Sequence, residues 1–73
     1  MLINVMKRHG GFENSISIRP QQNREIYIKF DHVRKDEDLH EIVFATAAGG
    51  IVATIHDPEW YQPIIDELEA AGL

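Results

Sequence analysis

Cysteine is absent from this 73-residue chain, which rules out disulfide staples and thiolate zinc sites and fits a reducing compartment. No stretch approaches the ~20 consecutive apolar residues of a membrane span, and residues 1–12 do not contain the apolar run of a signal peptide. Neither an internal repeat nor a low-complexity segment divides the chain. The expectation is one complete domain over residues 1–73, soluble and cytoplasmic, with no membrane association. A chain this short buries only ~60% of the surface that its unfolded form exposes. A single core of that size rarely supplies more than ~3–5 kcal/mol. With disulfides excluded, self-association or a larger protein partner is the remaining way to cover apolar surface.

Catalytic signatures are missing as well. Ser15 and Ser17 lie in a plainly alternating segment with no nucleophile elbow around them. Gly10-Gly11 and Gly49-Gly50 are isolated pairs outside any Gly-rich strand-to-helix loop, and they read as turns rather than phosphate cradles. Three of the four histidines adjoin an acid, as Asp31-His32, His40-Glu41 and His56-Asp57. These residue types can ligate a divalent metal or share protons, but no His-x-x-x-His spacing brings two rings to one helix face. The pattern predicts no enzyme activity, no metal and no cofactor, with a His/carboxylate metal-binding protein as the lowest-ranked alternative.

What the chain does contain is segregated charge. All seven bases, Lys7, Arg8, Arg19, Arg24, Lys29, Arg34 and Lys35, fall in the first 35 residues against Glu13, Glu25 and Asp31, a net of +4. The other residues carry nine acids and no base, and the whole chain stands at −5. Such asymmetry bears on partners and steering rather than on fold. Either the two halves neutralise one another within the fold, or each awaits a partner of opposite charge.

Period-two patterning fills the first half. Leu2, Ile3 and Val5 open an apolar strand that turns at His9-Gly10-Gly11, where two glycines permit positive φ. Residues 14–19 alternate Ile16 and Ile18 with Ser15, Ser17 and Arg19, and Pro20 ends the run ahead of a polar turn over 20–24. Residues 25–33 repeat the pattern as one strand, with Ile26, Ile28 and Phe30 inward and Tyr27, Lys29 and Asp31 outward. Residues 36–49 admit two readings. Leu39, Ile42, Val43, Thr46 and Ala47 fit a helix face, while strands over 42–47 and 51–56 fit a hairpin around Ala48-Gly49-Gly50. The hairpin is preferred. Both faces of its arms are then apolar, Ile42 and Phe44 on one and Val43, Ala45 and Ala47 on the other. One helix covers only one of these faces, so the second needs another sheet, a second copy or a partner.

The last segment is a helix, for which Asp57 is a cap, Pro58 suits the first position and Gly72 suits a left-handed stop. Tyr61, Ile64, Ile65, Leu68 and Ala71 line one face. Pro63 removes a backbone bond, which places the onset at residue 58 or one turn later. Asp66, Glu67 and Glu69 crowd the end where the macrodipole favours cations by ~0.3–1 kcal/mol each. The fold class expected is α+β, a small antiparallel sheet (a meander of four to five short strands) packed on one face by a C-terminal α-helix.

Trp60 and Tyr61 occupy adjacent helical positions and so face different ways, which assigns one to the core and offers the other as an anchor. With Glu59, Asp66 and Glu69 they form the expected protein-interaction surface, whose acids steer a basic partner. The function expected is a small non-enzymatic interaction module, a regulator, inhibitor or accessory subunit of the kind that compact bacterial and phage genomes encode. It acts through a homodimer or a larger protein partner. The alternative is a nucleic-acid-associated protein in which Lys7, Arg8, Arg19, Arg24, Tyr27 and Lys29, with His9 and Phe12, mix cations and aromatics as single-strand platforms do. The net charge of −5 opposes phosphate unless the acidic half points away.

Overall fold

The computed structural model describes residues 1–8 and 13–73, so the expected reversal at His9-Gly10-Gly11 and the aromatic Phe12 lie outside the described residues. Six strands precede one helix: β1 (Leu2–Met6), β2 (Asn14–Gln21), β3 (Arg24–Phe30), β4 (His32–Asp36), β5 (Glu41–Ala45), β6 (Ile51–His56) and α1 (Pro58–Ala70). They form two antiparallel sheets of three strands, in the orders β1-β2-β3 and β4-β5-β6. The class is the α+β arrangement that the patterning predicts, antiparallel strands packed against a C-terminal helix. The strands number six, in two sheets, because the run over 25–33 is broken.

Asp31 makes that break. Its N–H donates to the Ala45 carbonyl (2.9 Å), its carbonyl accepts from Asn14 Nδ2 (3.4 Å), and its carboxylate accepts from the Ala47 N–H (3.0 Å). The corner shifts the inward parity, so that Phe30 and Val33 both face the core although three residues apart, which no continuous strand allows. Pro20 does not stop β2 either. The strand runs on to Gln21 across a register slip between Ile18 and Gln21, an irregularity that tolerates a residue without an N–H, and the turn tightens to Gln22-Asn23. For residues 36–49 the hairpin is the reading that forms: Thr46 N–H donates to Gly50 O (2.8 Å), and Gly49 turns the chain at φ +92°.

Both sheets and the helix contribute to one buried cluster. Ile16, Ile18, Ile28 and Phe30 come from the first sheet, Ile42 and Phe44 from the second, and Tyr61, Ile64, Ile65 and Leu68 from α1. The rings of Phe30 and Phe44 meet edge to face with centroids 4.9 Å apart, joining the two sheets with about 0.5–1.5 kcal/mol beyond area burial.

The helix begins at Pro58 rather than a turn later. Asp57 Oδ1 accepts from the N–H groups of Glu59 (2.8 Å) and Trp60 (3.1 Å), satisfying donors that have no partner within the helix. Pro63 sits inside α1 on its exposed side, and Glu59, whose carbonyl loses a donor to that proline, is exposed too, so the carbonyl can be hydrated. At the other end Leu73 N–H donates to Leu68 O (2.8 Å) and Gly72 N–H to Glu69 O (3.0 Å), with Gly72 at φ +84°, a Schellman closure. Two bases from the first half arrive here. Lys7 Nζ lies 3.5 Å from the Gly72 carbonyl and Lys35 Nζ 3.0 Å from the main-chain oxygen of Leu73. They oppose the helix dipole where its own last turn holds no base. Among the described residues no helix is long and apolar enough to cross a membrane.

Candidate interaction surface

The inward isoleucines of β2 leave Ser15, Ser17 and Arg19 pointing out, and the register sets larger residues on both sides of them. Asn4, Ser17 and Tyr27 form one row across the sheet, Met6, Ser15 and Lys29 another, and Leu2 pairs with Arg19 at the far end. Ser15 is closed over at 5% exposure, so the low part of this face opens around Ser17. Leu2 is 70% exposed, Met6 55% and Tyr27 54%, all on this outer face of the first sheet. A shallow cavity of about 260 Å³ opens among Leu2, Asn4, Ser17, Arg19 and Glu25. Arg19 Nε is 2.9 Å from Glu25 Oε2, the one ion pair among the described residues.

The outer face of the second sheet carries the second apolar group. Val43 lies on the side away from the core yet is only 7% exposed, between its cross-strand partners Arg34 and Thr54. Ile51 and Val52 stand exposed beyond it, and a cavity of about 220 Å³ is lined by His32, Arg34, Val43, Ala45 and Ile51. Ile42 and Phe44 face the cluster that α1 closes, whereas Ile51 and Val52 stay exposed on this side.

At the helix entrance the two aromatics divide as adjacent positions must. Tyr61 is 5% exposed and belongs to the core, whereas Trp60 is half-buried at its margin. Burial, then the carboxylates of Glu37, Asp36, Glu69 and Asp38, raise the Tyr61 phenol above its ordinary value. Glu59, Asp66 and Glu69 are exposed, and Asp66 Oδ1 accepts from Gln62 Nε2 (2.8 Å). Glu59 is thus the exposed acid beside Trp60 at the entrance, whereas Asp66 and Glu69 stand further along α1 toward its C-terminal end.

The basic residues are not gathered on one face. Tyr27, Lys29 and Arg19 share the outer face of the first sheet, Lys7 is drawn to the helix end, Arg24 sits at the β2–β3 turn, and Arg8 donates its main-chain N–H to Asn14 Oδ1 (3.1 Å). His32 opens β4, His56 closes β6 and His40 lies in the turn between β4 and β5. Among the described residues no group of three His, Asp or Glu is placed to hold a metal. Sequence reasoning did not single out Leu2 and Met6 as surface residues. Their signal was present, since period two sets both on the face opposite Ile3 and Val5.

Comparison of the chain with protein-family models, with curated proteins and with solved structures finds no match.

Proposed function

We propose that this chain is a small non-enzymatic protein-interaction module and that the outer face of its first sheet meets the partner. The observation that carries the reading is the grouping of Leu2, Met6 and Tyr27, each more than half exposed, around a strand whose outward side chains are chiefly serines. Tall apolar groups beside small ones make a relief into which a partner's side chains fit, and Tyr, Met and Arg are types that interfaces favour. Arg19 is neutralised by Glu25, which leaves Lys29 as the base this face presents among the described residues. The partner that fits is a protein segment with apolar side chains beside a carboxylate. Its binding would serve regulation, inhibition or assembly without chemistry on this chain.

A second reading has one observation behind it. Tyr27 and Lys29 stand on the same open face, where a base can stack and a phosphate can meet an ammonium. Against it, Lys7, Lys35 and Arg19 are engaged within the chain, so less of the +4 of the first half is presented outward.

Capture from a lysate of the native host, at low and high salt, separates these readings when wild type is run beside Tyr27→Ala and Trp60→Ala. The expected result is a stoichiometric protein that survives high salt and is lost with Tyr27→Ala, with circular dichroism unchanged. Nucleic acid released by high salt favours the second reading. Loss with Trp60→Ala alone moves the surface to the acidic helix entrance, and capture indifferent to Tyr27 overturns the proposed face.

A further inference from the structure

The two sheets have four edge strands, β1, β3, β4 and β6, of which β3 abuts the second sheet, and three of them carry the devices that keep an edge from pairing. Arg24, Glu25 and Lys29 stand in β3, and Arg34, Lys35 and Asp36 in β4. A register slip between Phe44 and Ala45 leaves Val52 of β6 without a partner residue, a bulge that bends this edge. β1 has no charge or bulge of this kind, and α1, which packs against it more than against any other strand, lies on its Ile3 and Val5 side. Leu2–Met6 contains no charge, proline or glycine, and its five residues pair with β2 in unbroken register. Among the described residues its main chain makes no hydrogen bond outside that ladder.

We infer that β1 is where a second copy of this chain adds, antiparallel and about a two-fold axis through Asn4, so that the first sheets of two molecules join into one of six strands. The inference rests on the reading of the chain as an interaction module and assigns self-association to the edge of that sheet, beside the outer face that meets the other protein. In this register Leu2 lies opposite Met6 of the second copy, Asn4 opposite Asn4, and Ile3 opposite Val5. The most exposed apolar residues of the strand thereby cover one another on the outer face. On the inner face the half-buried Ile3 and Val5 continue the core across the axis. A slip of one residue would turn Ile3 and Val5 to the wrong face, so the register is specified.

Charge selects this edge as well. Two copies at −5 each repel on average, and β1 is an approach on which no acid stands. Two of the bases beside it are engaged, Arg19 with Glu25 and Lys7 with the Gly72 carbonyl. An edge of five residues is about 17 Å long. It buries well under the ~800 Å² per partner of a standard interface, so the dimer is weak, with a dissociation constant between about 10 µM and about 1 mM.

Sedimentation of the full chain from about 1 µM to about 1 mM tests this, with two double variants whose folds are checked by circular dichroism. Leu2→Glu with Met6→Lys places opposite charges across the axis twice, whereas Leu2→Glu with Met6→Glu places like charges there twice. Wild type should dimerise, the Glu/Lys variant should stay within a few-fold of it, and the Glu/Glu variant should bind about tenfold more weakly or worse. High salt should narrow the gap between the variants. A wild type monomeric at ~1 mM, or two variants that behave alike, overturns the inference. So does a different protein seated on β1 and displaced by these substitutions. A monomer whose captured partner still depends on Tyr27 would lose the dimer and keep the interaction reading, so the two failures are distinguishable.

Discussion

The imidazole of His40 stands edge-on to the phenol ring of Tyr61, with centroids 5.6 Å apart and planes at 77°. It does so from a backbone at φ +51°, in the left-handed region that costs a residue with a Cβ about 1–2 kcal/mol. The same residue's carbonyl accepts from the N–H of Asp57 (3.2 Å), so one turn position both roofs a core tyrosine and anchors the helix cap. The gain from the ring pair and the cost of the backbone are of similar size.

Substitution at His40 separates the two terms. His40→Ala keeps the left-handed requirement and removes the ring, and should lower stability by about 1 kcal/mol. His40→Gly removes the ring but relieves the backbone, and should lie about 1 kcal/mol above the alanine variant. Urea midpoints of the three proteins check the order, with glycine near wild type and alanine below both. Equal midpoints for the two variants would show that the backbone conformation carries no strain.

Tyr61 should leave a mark at alkaline pH. Burial and the nearby Glu37, Asp36, Glu69 and Asp38 all disfavour the phenolate, so the folded state holds the proton more tightly than the unfolded chain, whose phenol titrates at the ordinary 10.0. A raised folded pKa contributes stability that is full below pH 10.0 and is lost as pH rises through the folded value. The difference in urea midpoint between wild type and Tyr61→Phe should therefore be constant from neutral pH to about 10 and shift in favour of Phe above it. A difference that stays constant through pH 11 would mean the phenol is not destabilised as an anion.

Much of the fold was legible because local patterning decided it. The alternations of Ile16 with Ile18 and of Ile26, Ile28 and Phe30 needed no tertiary context, and neither did the Asp57-Pro58 start nor the Gly72 stop of α1. The break at Asp31 was not legible. It depends on three bonds to residues as distant in sequence as Asn14, Ala45 and Ala47, which no period can report. The candidate surface divides in the same way. Tyr27 and Lys29 were placed outward by alternation, whereas the engagement of Lys7 and Lys35 at the helix end follows from topology alone. The acidic helix end looked unopposed because its opposing bases are far away along the chain.

Lys35 is the stronger of those two opposing bases. It points inward from β4, half-buried, and donates to the Leu73 main-chain oxygen at 3.0 Å, while Lys7 is exposed and reaches Gly72 only at 3.5 Å. Lys35→Met retains most of the apolar stem and removes the charge and the bond, which together should cost about 1 kcal/mol. Lys7→Met should cost a few tenths of that figure and lose its effect at about 1 M salt, where exposed charges are screened within ~3 Å. Melting temperatures of wild type and both variants at low and high salt provide the check. The Lys35 difference should persist in high salt because a half-buried, hydrogen-bonded ammonium is poorly screened, and its disappearance would reduce Lys35 to a surface charge acting only through the dipole.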